Sequence, residues 1–406
     1  MKDYRPSKEI LEKYADVLVN FALGGGKGIK KGDVVQLYAE EYAKPLYLEV
    51  RKAIWKAGGH VISDYHPNND PEFDIERDFF IHAKDHQINF FAHHYYKGLA
   101  EQIDHQLFIN SETDKHALKG IDPKKLVKRG EVHKPWREWR NKKENEGKFT
   151  WTLANYATPA MATEAKMGLE EYWQQIIMAC FLDTKNPVAE WKRVYKEMEK
   201  YRRRLNALKV EKYHIEGPDA DLWIAAGEKR RWVGGGGCNI PSFELFTTPD
   251  WRGTNGWIKF NQPLYHYSNL ITGVELVFKN GRVIKSKATK NENVLKEMIA
   301  TPHADKIGEF SMTDKRFSKI TRFMADTLFD ENIGGPEGNT HIALGSSYYD
   351  CYTGDKTKVS KKQWLALGFN DSSVHTDIIS TAPRTITAHL KNGKTKVIYK
   401  NGMYVV

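Results

Sequence analysis

Apolar and polar positions along this chain follow one rhythm in the first half and another in the second. In the first 110 residues, short apolar runs alternate with stretches of helical spacing. DVVQLYA (33–39) follows a Lys-Lys-Gly turn and reads as a buried strand. Leu46, Leu48, Val50 and Ile54 recur at helical intervals, which predicts a helix over 45–56 that Gly58-Gly59 stops. HVISDYH (60–66) predicts a second strand, 85–103 another helix, and HQLFINS (105–111) a third strand. Strands separated by helices of this length predict βαβ units, a parallel sheet and right-handed crossovers. Residues 150–160 carry little helix signal, whereas 168–182 and 188–208 return to helical spacing.

The second half is rich in Gly, Thr and β-branched residues. Two Lys-Asn-Gly turns, 279–281 and 391–393, sit between alternating apolar runs, a strong hairpin signal. Helices are predicted over 291–300 and 313–328. The expected architecture is an N-terminal α/β domain with a parallel sheet (1–210) and an α+β, β-rich C-terminal domain (211–406). No fixed-period repeat is apparent.

With 40% hydrophobic and 12% aromatic residues, the chain has too much core material for a disordered protein. At 406 residues it needs no disulfide staple, and three Cys make no disulfide framework. The start, MKDYRPSKEILEKY, has no apolar h-region, and the longest apolar run, IIMACFL (176–182), is far short of the roughly 20 residues of a membrane span. A cytoplasmic protein without a membrane partner is expected.

The net charge of +10 raises the question of nucleic acid. The densest basic stretch, 123–148, has ten Lys or Arg against four Glu, with Trp136 and Trp139 interleaved. No nucleic-acid-binding motif accompanies it, so a solvated mixed-charge segment is the better reading. His82 and His86 have the i, i+4 spacing of a zinc helix but lack its Glu, and read as ordinary surface histidines. Gly24-Gly25-Gly26-Lys27-Gly28 precedes a strand where a phosphate loop would follow one, and reads as a flexible connector.

Candidate chemistry concentrates in the second half. Glu244 sits in NIPSFELFTTP and Glu309 in IGEF, acids among apolar neighbours that are expensive to bury without a cation. Glu331 lies in LFDEN, His341 in NTHIALG, and His375 and Asp377 in SSVHTDII. On a strand, His375 and Asp377 project to one face. They would then form either a hydrogen-bonded pair or two ligands of a borderline divalent cation. These six groups, four of them carboxylates, are too many for one zinc ion and suit two.

The ordered run N-I-P-S-x-E-x-F-T-T-P, I-G-E, T-L-F-D-E-N, H-I-A-L-G-x-x-Y and V-H-x-D resembles the thermophilic-type two-metal aminopeptidases, the aminopeptidase T and aminopeptidase S (PepS) group. The resemblance is close over 239–377 and looser before it, where W-x-x-x-x-Y-A-T-P-A-M-A (151–162) matches. It implies that Glu244, Glu309, Glu331, His341, His375 and Asp377 bind metal, with Glu309 touching both ions. It implies that Tyr348 stands at the metal centre, as a ligand or a donor to the oxyanion. It further implies a homodimer whose N-terminal domains help enclose the active sites. Two departures stand out. Phe243 replaces the family's Gly before the first ligand, and the longer link IGGPEGNT brings Glu337 near His341 as a rival to Glu331.

The implied activity is removal of N-terminal residues from peptides with a free N-terminus. Two divalent ions (Zn, Co, Mn, or Mg where carboxylates dominate) would activate water and polarise the scissile carbonyl. Glu309 or Glu331 would act as general base and Tyr348 could steady the oxyanion. Cys238 is expected to be a small buried residue and no ligand. Three competing readings remain: a two-metal hydrolase of phosphoesters or non-peptide amides, a family member reduced to a binding module, and a nucleic-acid-binding protein using 123–148.

Overall fold

The computed structural model describes residues 4–70, 72–266 and 269–406. The chain divides into two compact units, Met1–Arg193 with Gly236–Pro241, and Val194–Gly235 with Ser242–Val406.

The first unit is built on a parallel sheet of β1 (Val34–Glu40), β2 (His60–His66), β3 (His105–Asn110) and β4 (Thr150–Asn155), in the order β2-β1-β3-β4. Helix Lys44–Lys56 carries the crossover from β1 to β2 as its spacing predicts, burying Leu46, Val50 and Ile54. The expected α/β class therefore holds, with β4 as a fourth strand in the stretch that lacked helix signal. The helix expected over 85–103 is broken: Asp85–Ile88 and His93–Gln102 are separate helices. His82 ends another helix, Ile75–His82, so His82 and His86 do not share one helical face. The glycine connector is an ordered turn: the Gly28 and Ile29 N–H groups donate to the Leu23 and Val19 carbonyls.

The basic stretch forms helices Pro123–Val132 and Lys134–Asn145. Trp136 is buried with Leu99, Ala100, Ile103 and Phe149, and Trp139 packs on the same cluster. Lys143 donates to the carbonyls of Ala100, Glu101 and Ile103, at the end of helix His93–Gln102. Arg129 does the same for Ile88 and Phe90, beyond helix Asp85–Ile88. Cationic side chains at helix C-termini satisfy orphan carbonyls and oppose the helix dipole. Part of the charge that suggested nucleic acid thus closes helix ends, and both Trp rings are committed to packing.

Among the described residues, the second unit holds fourteen strands. They begin with β5 (Val210–Gly217), β6 (Ala220–Ala225), β7 (Glu244–Thr247), β8 (Asp250–Lys259), β9 (Leu264–His266) and β10 (Asn269–Ile271). They continue with β11 (Glu275–Lys279), β12 (Arg282–Lys287), β13 (Ile307–Thr313) and β14 (Asn339–Gly345). The last are β15 (His375–Ser380), β16 (Thr385–Leu390), β17 (Thr395–Lys400) and β18 (Met403–Tyr404). One eight-stranded sheet has the order β12-β11-β8-β6-β5-β16-β17-β18, and a four-stranded antiparallel sheet the order β15-β14-β13-β7. The predicted Lys-Asn-Gly hairpins join β11 to β12 and β16 to β17, and a third, 400–402, joins β17 to β18.

Helix Glu292–Ala300 matches the expected 291–300, but the helix expected over 313–328 is absent. Strand β13 runs through Thr313, and only Thr327–Asp330 is helical. Local side-chain bonds hold this segment in turns instead. The Asp314 carboxylate accepts from Arg316 and from the Tyr404 N–H, and the Asp330 carboxylate accepts from the Met324 and Asp326 N–H groups. Such bonds offer the backbone an alternative to helix.

Candidate metal centre

The four-stranded sheet of the second unit gathers the acids and imidazoles. Residues directly opposite in an antiparallel pair share a face. Ser311 pairs with His341, and Thr313 with Glu244. Ala343 pairs with Glu309 on one side and Asp377 on the other, and Gly345 pairs with His375. With the alternation along each strand, Glu244, Glu309, His341, His375 and Asp377 all project from one face.

The rows across this face leave room in the middle. Strands lie about 4.8 Å apart, so Glu309 and Asp377 are roughly two strand spacings apart, with only the methyl of Ala343 between them. Gly345 sits beside His375 with φ +105°, and a Cβ there would meet the Val374 carbonyl at 2.0 Å. The ladder shifts register between Ile307 and Glu309. Gly308 lies in that bulge, and a Cβ on it would fall 2.2 Å from the Ser346 carbonyl. Bulges next to active sites re-aim a side chain; here the residue re-aimed is Glu309.

Glu309 stands at the centre of the group. Its Oε1 lies 3.2 Å from His341 Nε2, and its Oε2 lies 3.6 Å from His375 Nε2. His341 Nε2 is also 3.3 Å from Glu244 Oε2, and His375 Nε2 is 3.6 Å from Asp377 Oδ1. Two sets of potential ligand atoms result, Glu244–Glu309–His341 and Glu309–His375–Asp377, with Glu309 common to both. Each set keeps its ligand atoms within 4.8 Å of one another. The His375 Nδ1–H donates to the Ser346 carbonyl at 2.8 Å, which turns Nε2 toward Glu309 and Asp377. Ser311 Oγ donates to Glu244 Oε2 at 2.6 Å and fixes that carboxylate.

The electrostatics fit a cation. Glu244, Glu309 and His341 are buried. Among the described residues, the ion pairs of Glu244, Glu309 and Asp377 run only to His341 and His375. Burial depresses His341, but the hydrogen bond to Glu309 and the charges of Glu244 and Asp377 outweigh it and lift the pKa to about 9. His375 likewise rises to about 9: burial opposes the rise, and the charges of Asp377 and Glu309 win. Burial raises Glu244 to about 7; His341 and Ser311 oppose the rise, and Glu309 adds to it. For Asp377 burial acts upward, but the neighbouring His375 and His341 hold the carboxyl below its usual value. These imidazoles act as cations toward three carboxylates, which is the service a divalent ion would perform. The Nε2 of His375, which faces the cage, points the same way, since it has no hydrogen-bond partner among the described residues.

The other expected residues lie around this cage. The Tyr348 ring is 4.7 Å from the His375 ring. The residue as a whole is 41% exposed, yet its phenol is raised well above its usual range by burial, then by Glu309, Asp377, Glu331 and Glu244. Glu331 is buried but belongs to neither ligand set; Asn332 Nδ2 approaches its Oε1 at 3.4 Å. Glu337 acts on Tyr399, and its backbone packs against Gly402. Phe243 is fully buried, with its N–H donating to Asn332 Oδ1 at 2.6 Å, so its ring belongs to the core. Cys238 is half-buried and is in neither ligand set. Ser311 and Ala343, one orienting and one making space, carried no signal of their own: a Ser and an Ala in a strand are commonplace.

A β-sheet face bearing two ligand sets that share one buried carboxylate defines a metalloenzyme. The chain belongs to the thermophilic metalloprotease family (M29), whose model matches residues 7–404. It is 27% identical to aminopeptidase PepS of Streptococcus thermophilus, an alignment covering 98% of each chain. Its fold is similar to that of wild-type AmpT from Thermus thermophilus, with a TM-score of 0.81 and 23% identity, covering 98% of this chain and 100% of that one. A more remote likeness joins it to 2,5-dihydroxypyridine dioxygenase of Pseudomonas putida KT2440, with a TM-score of 0.52 and 11% identity over 99% of both chains. One architecture therefore accompanies proteins named for different chemistry, and the site has to decide the function. The nucleic-acid reading is not favoured. Among the described residues, no helix is long and apolar enough to cross a membrane.

Proposed function

We propose that this chain is a metal-dependent aminopeptidase that removes N-terminal residues from peptides at a two-metal centre. The carrying observation is the shared carboxylate: the two oxygens of Glu309 face separate imidazoles, so one side chain can serve two ions. Glu244 and His341 would complete one site, and His375 and Asp377 the other. A bound metal pair would supply an activated water and a polarised carbonyl. Tyr348, whose phenol stays protonated at neutral pH, would donate a hydrogen bond to the developing oxyanion. Glu331 lies outside both ligand sets yet close enough to influence Tyr348, and would accept the proton.

The mixed imidazole and carboxylate set suits zinc, cobalt or manganese, with magnesium the weakest match. The names of PepS and the family description support peptides with a free N-terminus as substrates. A cytoplasmic homodimer, with domains 1–210 and 211–406, completes the proposal. The test is direct: the purified chain should release N-terminal residues from short peptides, stop after exhaustive chelation and recover with cobalt or zinc. Undiminished cleavage by metal-stripped protein would overturn the reading.

A further inference from the structure

The four-stranded sheet ends at β15, and the outer side of that edge strand borders a cavity of about 230 Å³. Its inner wall is His375 and Asp377, two residues of the proposed cage. Leu264, Tyr265 and His266 on β9, together with Thr327, Val374 and Thr376, form much of the remaining wall. The strand alternation explains how one strand serves both places. His375 and Asp377 face the cage, while Thr376 between them faces away from it.

We propose that this cavity receives the side chain of the substrate's N-terminal residue and selects uncharged side chains. The proposal rests on the aminopeptidase reading above and names its substrate class. Three observations carry it.

The first is position. In an N-terminal trimming reaction, the side chain next to the scissile carbonyl branches one bond from the reacting carbon. A carbonyl held at the cage must send that side chain into space bordering the cage ligands, and this cavity borders His375 and Asp377. The second is size. An apolar cavity of roughly 150 Å³ holds a benzene ring. The volume of about 230 Å³ here accommodates an isobutyl or benzyl group. The departing peptide needs an open exit instead. The third is charge. Among the described residues that line the cavity there is no Lys or Arg, and the one acid is Asp377, which faces His375 and His341. Beyond Asp377, which already faces two imidazoles, the wall offers a guanidinium, ammonium or carboxylate only hydroxyls and the His266 imidazole, and burying a charge without a counter-charge is expensive.

The experiment uses the cobalt-loaded full chain and p-nitroanilides of Ala, Leu, Phe, Arg and Glu. Wild type should cleave the Leu and Phe compounds with kcat/KM at least about 10-fold above Arg and Glu. Thr327→Trp should partly fill the cavity, lowering kcat/KM for Leu and Phe by about 10-fold or more while Ala changes little. Tyr265→Ala should open it and raise the Phe-to-Ala ratio. A second readout needs no turnover: calorimetric titration with L-leucine, the product released from a Leu substrate, should weaken about 10-fold in Thr327→Trp. Unchanged Leu-to-Ala and Phe-to-Ala ratios in both folded variants would overturn the pocket assignment alone, as would a wild-type preference for Arg or Glu. Cleavage of none of the five compounds would remove the aminopeptidase reading and this proposal with it.

Discussion

Glu309 is the residue on which the chemistry turns. Glu309→Gln keeps the shape but removes the charge both ion sites share. It should cost roughly two orders of magnitude or more in kcat/KM together with bound metal, with far-ultraviolet circular dichroism unchanged. Near-normal turnover would contradict its bridging role. Ser311→Ala leaves every proposed ligand in place and frees only the Glu244 carboxylate. Its expected effect is milder, about 10- to 100-fold in metal affinity by competition with a chelator. The pH dependence follows from the raised imidazoles. His341 and His375 reach about 9 in the metal-free protein, above the ordinary value of 6.5. Their contribution to stability is therefore full below about 6.5 and fades as pH rises toward 9. Metal-free protein should lose Tm across that interval, whereas metal should bind more tightly as pH rises and release protons on binding. Calorimetry in two buffers of different ionisation enthalpy measures that release, and metal loading without it would contradict the protonated cage. At this scale the sequence was informative. The i, i+2 spacing of His375 and Asp377 put them on one face, and ordered motifs linked them to Glu244, Glu309 and His341. Glu331 was legible as an acid but not by position, because LFDEN carries no period that says where a turn aims its side chain.

At the scale of elements, the centre depends on small residues in β13 and β14 as much as on charged ones. Ala343 separates Glu309 from Asp377 across three strands, and Gly308 lets the bulge redirect Glu309. Ala343→Leu should fill the hollow, abolish stoichiometric metal binding by elemental analysis and leave the protein folded, at an overpacking cost of about 1–3 kcal/mol. Retained metal would mean the ions sit elsewhere. None of this was readable beforehand, since Ala and Gly in a strand have no chemistry to advertise and register is a property of pairing. The error over 313–328 has a related cause. Phe317, Ile320, Met324 and Leu328 repeat at three- and four-residue intervals, as on a helix. The carboxylates of Asp314 and Asp330 nevertheless hold the segment in turns. The Lys-Asn-Gly hairpins and helix Lys44–Lys56 were legible because their signals are local.

At the scale of the whole molecule, the net charge raised nucleic acid as a question, and packing accounts for part of that charge. The basic helices 123–148 direct Lys143 and Arg129 at helix ends and bury Trp136, so net charge overstated the surface available to a polyanion. A gel-shift titration with RNA or DNA should find no salt-sensitive complex at physiological ionic strength; a tight one would revive that reading. The second unit, by contrast, buries carboxylates whose counter-charge in this chain comes only from titrating imidazoles among the described residues. Saturating cobalt should therefore raise Tm, because an ion that binds the folded state alone stabilises it by mass action. The most direct measurement is anomalous diffraction at the cobalt edge from cobalt-soaked crystals. Two peaks per chain on one face of β13–β15, roughly 3.5–4 Å apart and both touching Glu309, are expected. No density among these five side chains, or a single ion that leaves Glu309 untouched, would contradict the two-metal account.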